Sequence, residues 1–146
     1  MVWEQRPVRG VKKVRFVSPK KQLDDLWSEI VKTRAHFVSE ISGKTTKLQA
    51  HHIVHKPNHR LRYELENGIC ITSGEHRFGV HGPSAIDFQD KIIGIIGTAR
   101  WEWLKQLRGF PAKIDVVATR LYLEQELEKA RGEHERWLKK GVNATP

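Results

Sequence analysis

The chain has one cysteine, one methionine and two tyrosines among 146 residues. It also lacks any apolar stretch as long as the roughly 18 residues that a membrane-spanning helix needs, so no membrane partner is expected. A lone thiol, Cys70, excludes an internal disulfide framework, and its setting in Gly68-Ile69-Cys70-Ile71 marks it as buried rather than reactive. The amino terminus carries arginine without a following hydrophobic region, which argues against a signal peptide and sets the expectation of a cytoplasmic protein. Acid is scarce relative to base: 17 Asp and Glu face 26 Lys and Arg, for a net charge of +9 and a pI near 9.9. Such an excess points to a polyanionic partner, DNA first, because lysine and arginine gain affinity by displacing condensed counterions; the bland alternative is a merely soluble basic surface. RNA recognition through single strands lacks the aromatic platforms it would need. Charge names a class of partner and no chemistry.

The length fits one domain, residues 1–146. Residues 1–17 form a basic arm with Arg6, Arg9, Lys12, Lys13 and Arg15 against the single acid Glu4. Either it lies along a phosphate backbone, with Val14 and Phe16 pinning it to the body, or it is a frayed terminus. Ser18-Pro19 is a capping residue followed by proline at the first helical position. Leu23, Leu26, Trp27, Ile30 and Val31 then step by three and four, predicting an amphipathic helix over 19–35.

From Phe37 the period changes to two, and Phe37, Ser39 and Ile41 predict a first strand that turns at Ser42-Gly43-Lys44 and pairs with a second over 48–53. Lys56-Pro57-Asn58 opens a basic loop, Asn67-Gly68 introduces a short strand over 69–72, and Ser73 is placed to cap a short helix carrying His76. Beyond Pro83, Ile86, Phe88, Ile92, Ile93, Ile95 and Ile96 predict a well-buried helix, and Thr98 caps another that ends at Gly109-Phe110-Pro111. A long helix follows over 114–140, with Leu123, Leu127, Ala130, His134 and Trp137 at heptad-like spacing. Packing back on the domain is the default for this helix and a homodimer formed through it is the alternative; His134 belongs to its seam. The fold class expected is α+β.

Six of the eight histidines, His51, His52, His55, His59, His76 and His81, fall within one short stretch. Imidazole is the side chain best suited to binding metal and moving protons near neutral pH, so this stretch predicts a metal-dependent active site. Hydrolysing a phosphodiester needs a cation, a base for water and a group that holds the base in one tautomer. On a strand His51 and His52 point to opposite faces, so one can coordinate while the other takes a proton. His55 and His59, beside Arg60 and Arg62, are better read as solvated or phosphate-contacting.

Asn67 follows His51 by 16 positions and His76 follows Asn67 by nine. Ala50-His51-His52-Ile53, Leu65-Glu66-Asn67-Gly68-Ile69 and Glu75-His76-Arg77 together resemble the HNH endonuclease motif, or ββα-metal fold, over residues 37–82. Residues 83–146 are similar, more loosely, to the helical extensions of small HNH proteins of phages and prophages. The resemblance implies a DNA endonuclease using one divalent ion, with magnesium, manganese, zinc and nickel all admissible. It implies His51 and His76 as metal ligands, His52 as the general base and Asn67 as the asparagine that fixes the base. His81 is a third ligand or a phosphate contact; five residues from His76 it sits roughly 140° round an ideal α-helix, so it reaches the ion only if the helix has ended. Arg60, Arg62, Arg77, Lys12, Lys13 and Arg15 are the expected DNA contacts. The competing reading is a catalytically inactive HNH scaffold that binds DNA or serves a phage packaging or recombination complex.

Many such proteins carry four cysteines in two CxxC knuckles around a structural zinc. At the corresponding places this chain has Ser39, Ser42, Thr72 and Glu75, whose oxygens are poor zinc ligands beside thiolates. No structural zinc is expected, and hydrogen bonds should stand in its place.

Overall fold

The computed structural model describes residues 15–143, so Lys12, Lys13 and most of the basic arm lie outside the described residues. Of the arm's end, Arg15 is exposed and Phe16 is 89% exposed, so Phe16 does not pin the arm to the body. The fold is α+β, a two-stranded antiparallel sheet among helices, the last of them long.

Helix α1 (Pro19–Arg34) starts as its sequence dictates: the Ser18 hydroxyl accepts from the Lys21 backbone N–H at 3.3 Å and proline fills the first turn. Strand β1 (Leu48–His52) pairs with β2 (Gly68–Thr72), not with residues 37–41. The expected first strand is a loop because His36 and Phe37 both adopt left-handed conformations, φ 54° and 56°, which end α1 in a sharp turn. Its backbone groups are then satisfied locally, with Ser39 N–H on the Lys44 carbonyl, Gly43 N–H on the Ser39 carbonyl, and the Ser39 hydroxyl accepting from Ile41 and Ser42.

β2 is buried along its whole length, and alternation sends its side chains to two cores. Cys70 joins Leu23, Trp27, Ile30 and Val31 of α1 and Leu123, Leu127 and Ala130 of helix α5 (Val116–Asn143). Ile69 and Ile71 join Ile92 of α3 (Ala85–Ile96) and Leu104 of α4 (Thr98–Arg108) on the other side. The long helix thus packs back on α1. Burial pushes the Cys70 thiol up to about 11, an inert group at neutral pH.

Two expectations about the helices fail. α3 is not well buried: of its apolar residues only Ile92 is, while Ile86 is 80% and Ile95 41% exposed, because the apolar positions wrap more of the helix than its one contact face can cover. Thr98 does not cap α4; Gly97, at φ 87°, occupies the capping position, a conformation glycine adopts without strain.

Candidate metal centre

The histidine pair ends β1, and the strand register decides where each ring goes. His51 lies opposite Ile69 and His52 opposite Gly68; residues directly opposite in an antiparallel pair share a face. A Cβ at Gly68 would stand 2.4 Å from Val31 and 2.9 Å from Trp27, so the missing side chain is what lets α1 approach the strand. Trp27 fills the space and stacks on the His52 ring, centroids 3.8 Å apart and planes within 5°. The indole is itself fixed by its Nε1–H on the Glu64 carbonyl at 3.1 Å.

His52 Nε2 lies 2.8 Å from the Arg62 carbonyl oxygen. A carbonyl only accepts, so Nε2 carries the proton, and in the neutral ring Nδ1 keeps a free lone pair. Burial holds His52 below the ordinary histidine range, outweighing the opposite pull of that hydrogen bond, and the ring is neutral at pH 7. A neutral, tautomer-fixed imidazole with a bare nitrogen is what general-base chemistry needs.

Asn67 does not touch His52. Fully buried, it accepts from Val54 N–H at 2.7 Å and donates to the Val54 and Leu61 carbonyls at 2.9 and 3.1 Å, while its own carbonyl takes Ile53 N–H at 2.9 Å. It staples the two ends of the loop that carries Arg62, and so reaches His52 through the backbone rather than by its amide. Arg62 is likewise not a free phosphate contact: its guanidinium grips Asp24 of α1 through two bonds, 3.1 and 2.8 Å, and is mostly covered. What the side chain does is hold the loop to α1, and its carbonyl does the work on His52.

On the other face, His51 is buried and its ring centre stands 5.2 Å from that of His76, which stands 5.0 Å from that of His81. The capping residue of the following turn is Thr72, not Ser73: Thr72 and Glu75 form a reciprocal capping box for helix α2 (Ser73–Glu75). The chain then widens into a π turn, His76–Val80. Bonding from i to i+5 brings residue 81 back over residue 76, which an α-helix would not do, and such turns recur at functional sites. Gly82 lets the chain close on the turn, since a Cβ there would stand 1.9 Å from the Phe78 carbonyl oxygen, and Gly79 lets α3 approach it, since a Cβ there would stand 2.3 Å from the Phe88 ring.

Two imidazoles sharing one ion through nitrogens about 2 Å from it, at a tetrahedral angle, have ring centres about 5 Å apart. His51–His76 and His76–His81 both fit that spacing. As the side chains stand, no group of three His, Cys, Asp or Glu among the described residues clasps a common point. His81 is exposed, whereas His51 is buried and His76 partly so. Burial first, and then the charges of His76, His52, His55 and His81, hold His51 at about 4, and burial and His81 hold His76 low. Neutral imidazoles are the form that ligates metal.

The four knuckle positions meet. Ser39 Oγ donates to Glu75 Oε2 at 2.7 Å, Thr72 N–H to the same oxygen at 2.7 Å, and the Thr72 hydroxyl accepts from Glu75 N–H at 3.1 Å. Burial alone would raise the Glu75 carboxyl, but hydrogen bonds from Ser42, Thr72 and Ser39 hold it below its usual range. Of the remaining basic residues, Arg77 is exposed and Arg60 half-buried; His55 and His59 are exposed.

Sequence reasoning missed Trp27 and Asp24 as parts of this site. Their spacing on α1 marks a core face and a polar face, and nothing in the motif forecasts that both converge on the loop after β1.

No family model matches the chain, and comparison with curated proteins and with solved structures finds no match.

Proposed function

We propose that the chain is a divalent-metal-dependent DNA endonuclease with a ββα-metal (HNH) active site. The observation that carries the reading is His52, neutral and held in one tautomer by the Arg62 carbonyl, next in sequence to a ligand-type histidine whose ring is spaced from His76 as two ligands of one ion are. His51 and His76, with His81 turning in, would hold the ion, which supplies charge to neutralise the nonbridging and leaving oxygens of the phosphodiester. His52 Nδ1 takes the proton of the attacking water as its oxygen bonds to phosphorus and the leaving oxygen departs. This requires the Nδ1 edge of the ring, rather than the face covered by Trp27, to meet that water. Arg60 and Arg77 position the phosphate backbone without reading bases.

The test is supercoiled plasmid incubated with purified protein and a panel of magnesium, manganese, zinc and nickel. Nicking or linearisation that chelator abolishes is expected. Tight binding with no cleavage across the panel would replace this reading with an inactive DNA-binding or structural module, such as one serving a phage packaging or recombination complex.

A further inference from the structure

Against His51, on the side of the sheet facing α3 and α4, lies an open cavity of about 440 Å³. Its walls are largely apolar, from Val54, Val80, Phe88 and Trp101, and α3 adds two polar side chains, Gln89 and Asp90. Ile86 also lines it and is 80% exposed, which puts a branched apolar side chain at the mouth. The cavity therefore shares a wall with the imidazole that the fold fixes most firmly as a ligand.

A phosphodiester held at His51 and His76 carries a nucleoside on each side. A nucleobase is a flat ring with apolar faces and a polar edge, and the cavity pairs aromatic and aliphatic walls with the Gln89 amide and the Asp90 carboxylate on α3, the Arg108 guanidinium on α4 and the His55 imidazole. A base stacked and paired within a duplex cannot enter such a space; an unpaired or extruded one can. Apolar side chains at the edge of a binding surface act as wedges between base steps. A carboxylate inside a strongly basic protein repels phosphate yet accepts well from an exocyclic amino group, which cytosine and adenine have and thymine lacks.

We propose that this cavity receives one unpaired nucleobase beside the scissile phosphodiester, with Ile86 as the wedge and Asp90 accepting from the exocyclic amine. The position of the phosphodiester rests on the nuclease reading. The substrate is then DNA with an unpaired nucleotide rather than continuous duplex.

The experiment is anisotropy titration of the full-length chain carrying His52→Ala, which keeps the divalent ion and prevents turnover, in magnesium or manganese, with three oligonucleotides: a perfect duplex, the same duplex with one bulged cytosine, and one with a bulged thymine. Stacking of one base in a pocket predicts about tenfold tighter binding of the cytosine bulge than of the duplex. Asp90→Ala should remove the preference for cytosine over thymine, and Ile86→Ala should bring the bulge close to the duplex, with duplex affinity changed by less than about twofold in both. Both positions are exposed, so neither change threatens the fold. Ala85→Trp, which fills the cavity from the start of α3, should abolish the bulge preference altogether. Equal binding of paired and bulged DNA overturns the proposal, as does a preference that survives all three substitutions. Plasmid cleavage separates the two readings. Bulge preference without cleavage under any metal leaves the cavity standing and removes the nuclease; cleavage with equal affinity for paired and bulged DNA does the reverse.

Discussion

Histidines meet twice in this protein, and the two meetings differ in geometry. Around the π turn, His51, His76 and His81 keep their ring centres 5.2 and 5.0 Å apart with planes at 68° and 78°. Where α1 ends against α5, His36 and His134 bring their Nδ1 atoms to 3.1 Å with ring centres 5.4 Å apart and planes within 22°. The second separation is what results when the line between the nitrogens runs through both ring centres, an in-line hydrogen bond with one ring donating and the other accepting. Two nitrogens that close on a single ion would bend that line and draw the centres in to about 5 Å. The His36–His134 rings share a proton, whereas His51, His76 and His81 meet edge to face. Proximity of imidazoles is therefore no evidence of a metal site until the direction of their nitrogens is considered.

The comparison can be broken most forcefully at the histidines proposed as base and ligand. His52→Ala should lower cleavage by about 10²–10⁴-fold with metal affinity nearly unchanged, whereas His76→Ala should lose metal binding in calorimetric titration. If His51→Ala, His52→Ala and His76→Ala all weaken the metal equally, the division of roles is wrong.

Next in size is Asn67→Ala, which strands the Val54 N–H and the Val54 and Leu61 carbonyls in a buried setting. A loss of about 3–5 kcal/mol in urea unfolding is expected. A loss near zero would show that the loop is held elsewhere, and that the asparagine acts on the base in some other way.

Burial separates the groups by pH as well. In metal-free protein His51 is held at about 4 against an ordinary 6.5. The unfolded chain therefore binds its proton first as pH falls, so stability is full above pH 6.5 and declines toward pH 4, by about 3 kcal/mol. Urea midpoints measured across that window in chelator should fall less for His51→Phe than for the parent. An identical slope in both would place the titration elsewhere.

His36→Ala removes one hydrogen bond and a stacking contact with Trp137, and should cost about 1 kcal/mol in thermal unfolding. Metal stoichiometry should not change; loss of a bound ion would make the His36–His134 pair a second site. Smallest of all, chelator should leave the far-ultraviolet dichroism of the folded chain in place, with a cooperative melt that starts from the same folded signal, because Ser39, Ser42, Thr72 and Glu75 are joined by hydrogen bonds where a structural zinc would sit. One tightly held zinc per chain that survives His51→Ala and His76→Ala would contradict that arrangement.

Much of the helical part was legible in the sequence because its signals are local. Ser18-Pro19 starts α1, the heptad-like Leu123, Leu127 and Ala130 form the buried face of α5, and an apolar run around Cys70 is a fully buried strand. The alternation at 37–41 misled because two left-handed residues, which no periodicity reveals, turn the chain before a strand can form. Arg62 looked like a phosphate contact because a loop arginine in a basic chain usually has no partner; its partner, Asp24, lies 38 residues earlier on α1.

By itself the sequence determined the α+β class, the basic character and the gathering of six histidines into one short stretch, since these depend on residue type, short spacing and hydropathy. Tertiary structure alone decided how they are set. The absent side chain at Gly68 admits Trp27 against His52, Asn67 and the Asp24–Arg62 pair hold the loop whose carbonyl fixes the tautomer, and a π turn folds His81 back over His76. Those contacts join residues far apart in the chain, and only the packing of α1 and the helices beyond Pro83 against the two strands brings them together.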